Sequence, residues 1–248
     1  MTTGDSPNPE SSNSSTPAPS RQPADLEAVK QQAWRKVMLG VGAHGGGELE
    51  TACRLITEGE QTFRSLNDPA ALEWTLNRHA RVLCDLERFE QAVAILEEQK
   101  ALCEQLGDRE ALGNYLSVLG NVLKEQGQLE QAMRVLQELE ALSRELNDQA
   151  NLASCLFNQA NLLAQQDRLD ESLEKLIETE KLNWQLGEQE GLQESLNFHA
   201  LILKGLGRLE EALEVMKDQE AICRELELSE PLSSCLETQQ QILRELGR

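Results

Sequence analysis

The sequence predicts an all-α protein, a solenoid of stacked helix-turn-helix units, and three observations carry that expectation. Leucine recurs at a fixed spacing of forty residues. Leu66, Leu106, Leu146, Leu186 and Leu226 form one column, and Leu72, Leu112, Leu152, Leu192 and Leu232 a second. Leu76, Leu116, Leu156, Leu196 and Leu236 form a third, and Leu83, Leu123, Leu163, Leu203 and Leu243 a fourth. Within one unit, Leu112, Leu116, Gly120 and Leu123 step by four, four and three, the stripe of an α-helix, and Leu129, Ala132, Val135, Leu136, Leu139 and Leu142 make a second stripe. Residues suited to turns separate the stripes. A period of this length marks an array in which each unit buries its apolar face only against its neighbours.

Taken in order, residues 1–24 are rich in Ser, Pro, Thr and Asn and are expected to be a disordered tail, since such a composition buries too little apolar surface to fold. Residues 25–65 read as a degenerate first repeat, or cap. Leu26, Val29, Ala33 and Val37 give a helical stripe through Leu39, and Leu49, Ala52, Leu55, Ile56 and Phe63 give the second helix. Between them the run GVGAHGGGE reads as an expanded glycine loop. Gly40, Gly42 and Gly45 formally spell G-x-G-x-x-G, but a dinucleotide site needs a strand before those glycines, and no Gly-Lys-Ser/Thr follows for a phosphate loop. Four full units span residues 66–225. Residues 226–248 form a capping helix or the start of a fifth repeat, opened by Ser229-Glu230-Pro231.

The joints are legible as well. Asn67, Gly107, Asn147 and Gly187 share the position of a left-handed C-cap, and Asp68, Asp108 and Asp148 follow as N-caps for the next helix, with Pro69 at a first helical position. Gly127, Gly207, Gly247 and Asp167 mark the turn inside the unit.

On these residues the unit resembles a tetratricopeptide repeat in its longer, roughly forty-residue form, similar to arrays in kinesin light chains and bacterial regulatory proteins. The pattern small residue, large residue, turn glycine, alanine appears as Gly120, Leu123, Gly127, Ala132 and as Ala200, Leu203, Gly207, Ala212; Ala160, Leu163, Asp167, Ser172 departs from it twice. The usual aromatics are replaced by Leu76, Leu83 and Leu116, and the late proline is missing. The resemblance implies a right-handed solenoid whose first helices line a concave groove, acting as a protein- or peptide-binding scaffold. The alternative is a structural or regulatory module of a larger signalling assembly, self-associating or not. Oligomeric state stays open.

Composition bounds the chemistry. Forty-three acidic against 23 basic residues give a net charge of −20, which argues against nucleic acid, whose binding depends on Lys and Arg neutralising phosphates. No long apolar run or signal peptide is present, so no membrane partner is expected and a reducing cytoplasmic setting fits. Six scattered cysteines lack metal-ligand spacing and read as small packing residues. His79 and His199 share one repeat position and also read as packing residues. No nucleophile, acid or base is visibly oriented by neighbours, so the protein is expected to be no enzyme and to need no metal or cofactor.

The resemblance assigns the groove to outward positions of the first helices. The candidates are Trp74, Asn77, Arg78 and Arg81, then Asn114, Asn121 and Lys124, then Phe157, Asn158 and Asn161, then Asn197, Phe198 and Lys204, and finally Gln241. Cys84, Asp85, Val118, Glu125 and Glu194 stand among them in the same helices. With Glu237, Arg244 and Glu245 of the last helix counted as well, five basic and five acidic residues balance at the outward positions; the Asn amides both donate and accept, and Trp74, Phe157 and Phe198 are candidate apolar anchors.

Overall fold

The computed structural model describes residues 23–225, 227 and 229–247. The described residues form eleven α-helices joined by short turns. In order these are α1 (Pro23–Gly45), α2 (Leu49–Leu66), α3 (Pro69–Asp85), α4 (Phe89–Leu106), α5 (Arg109–Glu125), α6 (Leu129–Leu146), α7 (Gln149–Gln165), α8 (Leu169–Leu186), α9 (Gln189–Gly205), α10 (Leu209–Glu225) and α11 (Ser229–Glu245). Odd-numbered helices are the first of each pair. The expected tail lies outside the described residues up to position 22, and α1 begins at Pro23, just inside the stretch assigned to it. Leu226 of the first leucine column also lies outside the described residues.

The joints form as the cap residues dictate. Asn67, Gly107, Asn147 and Gly187 adopt φ of 52°, 66°, 54° and 72° and end the second helices in the left-handed conformation. Asp68, Asp108 and Asp148 each accept a hydrogen bond from the backbone N–H three residues on, at 3.1, 2.9 and 3.0 Å. Inside the pairs the turn position is left-handed too, and Glu87 occupies it at φ 57° where Gly127 and Gly207 stand in later units.

The first repeat corrects the sequence reading. Gly40–Glu48 is no expanded loop: α1 runs on through Gly45, and only a short turn around Gly47 precedes α2. The reason is packing. Gly40 stands forty residues before Ala80, in the column of small residues that lets first and second helices approach. A Cβ at Gly40 would lie 2.7 Å from Ile56 Cγ1, and one at Gly120 would lie 2.8 Å from Leu136 Cδ2. Ile56, Leu96, Leu136, Leu176 and Met216, the partners down the column, are all fully buried. Gly40 is therefore a close-contact residue inside a helix, which offsets its poor helix propensity.

Successive pairs are locked by a recurring polar clasp between a second helix and the next first helix. Glu60 meets His79 at 2.6 Å, Glu140 accepts from Gln159 at 2.9 Å, Glu180 meets His199 at 2.8 Å and Glu220 accepts from Gln239 at 2.8 Å. Both histidines are buried and satisfied there, as their packing role requires. The clasp is missing between α4 and α5, where Lys100 and Leu119 occupy its positions.

Alternate first helices touch one another, α1 with α3, α3 with α5, α5 with α7 and α9 with α11, whereas alternate second helices do not approach as closely. The first helices thus form the crowded inner layer of a curved array.

A groove on the inner layer

A concavity of about 800 Å³ opens on the inner layer, lined by five successive first helices. His44 comes from α1; Arg81, Cys84 and Asp85 from α3; Val118, Asn121, Lys124 and Glu125 from α5; Phe157 and Asn158 from α7; Glu194 from α9. Glu87 from the turn after α3 and Phe89 at the start of α4 also line it. Of the predicted set, Arg81, Asn121, Lys124, Phe157 and Asn158 are brought together here.

Their chemistry is already partly engaged. Arg81 donates from Nε to Asn77 Oδ1 at 3.3 Å, and burial, helped by the charge of Arg78, pulls its guanidinium below the usual arginine range. Lys124 donates to Asn158 Oδ1 at 3.3 Å and lies 3.6 Å from Glu125. Asn158 donates in turn to Ser154 O at 3.1 Å, and Asn161 to Phe157 O at 3.0 Å. Each of these amide nitrogens keeps one further hydrogen for a ligand. His44 Nε2 lies 2.5 Å from Asp85 Oδ2 across the α1–α3 gap. Two cations, Arg81 and Lys124, face the four carboxyl groups of Asp85, Glu87, Glu125 and Glu194, so this concavity is more acidic than the balanced set of outward positions.

The other predicted residues lie elsewhere. Trp74 packs edge-on against Trp34 with ring centroids 5.3 Å apart, and the Arg78 guanidinium stacks 4.8 Å from the Trp74 ring. Asn77 is buried, with its Nδ2 unpartnered. Asn114 and Asn161 are half-buried, and Asn197 and Gln241 are exposed, all outside the lining of this concavity. Lys204 pairs with Glu245 at 2.8 Å. Phe198 stands edge-on to Phe157, centroids 6.1 Å apart, and both rings pack against the core formed by α7 to α11. They are only half open to a ligand.

Sequence reasoning missed His44, Glu87 and Phe89. His44 was readable: it stands forty residues before Cys84 and eighty before Lys124, both assigned to the groove, but treating the glycine run as a loop removed it from the helix. Among the described residues no group of three or more His, Cys, Asp or Glu side chains is placed to hold a metal ion, and no helix is long and apolar enough to cross a membrane.

Stacked antiparallel helix pairs with small residues at the crossing and an inner-layer groove define the tetratricopeptide class of solenoid. The chain carries such repeats: the tetratricopeptide repeat family model matches residues 71–145, which run from α3 to α6. Solved structures extend the likeness over most of the chain. The signal transduction ATPase with a tetratricopeptide repeat sensor from Pyrococcus horikoshii superposes with a TM-score of 0.72 at 16% identity, over 86% of this chain and 33% of that one. This chain therefore spans about a third of the length of that protein. A Rap protein complexed with competence and sporulation factor gives a TM-score of 0.73 at 12% identity, over 90% of this chain and 67% of that one. The tetratricopeptide-like repeats of a putative kinesin light chain from Podosopora anserina give 0.61 at 16%, over 85% of this chain and all of that one. At these identities the likeness is one of fold. No curated protein matches the sequence.

Proposed function

We propose that the protein is a non-catalytic scaffold that binds a protein or peptide along its inner layer. The observation that carries this reading is a concavity built by five first helices, whose lining offers cations, carboxylates, amides with a spare hydrogen and the rings of Phe89 and Phe157. Its volume falls within the range of ligand sites, roughly 300–1,000 Å³. The Rap structures that share the fold were solved with competence and sporulation factor and with a Phr* peptide, which supports a peptide-sized ligand for an array of this curvature. An extended or helical segment laid across α3, α5, α7 and α9 would meet Arg81, Asn121, Lys124 and Asn158 with polar groups, and the Phe157–Phe198 edge with an apolar side chain.

The test is selection of peptides from a displayed library on the full chain, with affinities measured by calorimetry. Lys124→Glu combined with Asn121→Ala is expected to weaken the selected peptides by about thirtyfold, the scale of about 2 kcal/mol for losing a buried polar anchor. Both side chains sit at the groove surface, so the melting temperature should hold. Unchanged affinity in that variant, with loss on the exposed α6 substitution Glu138→Lys, would move recognition to the outer layer and overturn the proposal.

A further inference from the structure

Cys53, on α2, stands out from the other cysteines by what surrounds its sulfur. At the equivalent position later units carry Val93, Met133, Leu173 and Leu213, so packing alone asks only for an apolar side chain there. Cys53 is partly exposed, and its Sγ lies 3.6 Å from His79 Nε2 and 4.0 Å from Arg88 Nη1. On its other side His79 holds Glu60 through Nδ1 at 2.6 Å. The result is a thiol, an imidazole and a carboxyl in a row, the arrangement by which proteins orient a base toward a nucleophile.

Hydrogen placement follows from the neighbours. Burial works against ionisation of Glu60, yet the hydrogen bonds from His79 and Arg64 outweigh it and hold the carboxyl below its usual range. A carboxylate only accepts, so His79 donates from Nδ1 and turns the Nε2 lone pair toward Cys53. Thr57 Oγ1 is also 3.4 Å from Nε2, but its proton goes to Cys53 O at 2.8 Å. The S–H of Cys53 is the donor left for Nε2.

The chain supplies its own controls. His199 and Glu180 repeat the clasp beside Leu173, and Gln159 and Gln239 make it without histidine, so the clasp needs neither a thiol nor an imidazole. Cys155 and Cys235 are buried and donate to Leu136 O and Met216 O, at 2.8 and 3.0 Å. Burial pushes the Cys84 thiol up to about 11 and those of Cys103 and Cys155 up to about 12.

We propose that Cys53 is a thiol–disulfide exchange site, modified by a small-molecule disulfide such as glutathione disulfide, with His79 as the proton acceptor. His79 Nε2 takes the proton from Sγ, and the thiolate, facing Arg88, attacks one sulfur of the disulfide. A new S–S bond forms, the old one breaks, and the released thiolate takes the proton back from the imidazolium. The charged groups around the pair are Glu60 and Arg64 on α2 and Arg88 beyond α3, with Glu50 held by Arg88 at 2.7 Å.

The full chain is treated with glutathione disulfide at pH 7 and followed by intact mass and peptide mapping. Cys53 is expected to be modified first. His79→Gln, which installs the residue used in two other clasps, should leave the melt unchanged and slow the reaction about tenfold, the scale set by thiolate fraction and its attenuated nucleophilicity. Should His79→Gln lower the melt, Arg88→Gln, matching Gln128, reads the same rate with the clasp intact. Modification of Cys84 ahead of Cys53, or an unchanged rate in the folded variant, overturns the proposal.

Discussion

Replacing Glu73 by glutamine is expected to stabilise the protein at neutral pH and to change little in acid. Glu73 lies in α3 at 7% exposure, where later units carry Gly113, Ala153 and Gln193. Its Oε1 accepts from Gln99 Nε2 at 2.8 Å and from Cys103 Sγ at 3.8 Å, and no ion pair reaches it among the described residues. Burial pushes its carboxyl up, Asp108 adds to that, and the two hydrogen bonds only partly oppose them. The sign follows. A carboxyl whose folded pKa is raised favours the fold while protonated, and that contribution is lost as pH rises through the folded value. Gln99 sharpens the case, because its buried Oε1 has no partner. A protonated Glu73, or a glutamine, can donate to it; a carboxylate cannot. Satisfying one such buried acceptor is worth about 1–3 kcal/mol. For a chain of this size that is a rise of roughly 3–10 °C in melting temperature. Thermal melts followed by circular dichroism at pH 7.5 and pH 4 check it. A Glu73→Gln protein that melts below wild type at pH 7.5, while matching it at pH 4, would mean that the carboxylate itself stabilises the α3–α4 packing, and the reasoning would fail.

Two further expectations concern the joints. Glu87→Gly relieves a side chain held at φ 57° and should raise stability by about 0.5–1 kcal/mol in the same melts, since left-handed backbone penalises any residue with a Cβ. Lys100→Glu with Leu119→Gln installs the missing clasp between α4 and α5. It should slow amide hydrogen exchange in those two helices, with a gain of about 1 kcal/mol from the new hydrogen bond.

Much of the architecture was legible because its causes are local. A leucine period, an αL-tolerant residue and an aspartate cap each act within a few residues, so α3 to α9 and their joints follow from the sequence. The first repeat was misread for a physical reason: glycine serves both turns and tight helix crossings, and only the register with Ala80 and Gly120 tells which role Gly40 has. The groove was harder. Asn77, Ser117, Phe157 and Asn197 share one repeat position, yet the first two are buried, Phe157 is half-buried and Asn197 is exposed. What differs is how neighbouring side chains close around the helix, a property of packing between units that periodicity does not encode. The clasp was hidden similarly, because its partners stand nineteen residues apart on different helices and its donor alternates between His and Gln.

That clasp makes the units interchangeable in an unequal way. A second copy of residues 149–188 spliced in after position 188 would set Glu180 of one copy against Gln159 of the next, carboxylate to amide, and lengthen the solenoid with a junction chemistry it already uses. A second copy of residues 69–108 after position 108 would instead set Lys100 against His79, with no carboxylate between them. The array is thus extensible with a clasp at one place and only without one at another, and the same short column of residues decides which.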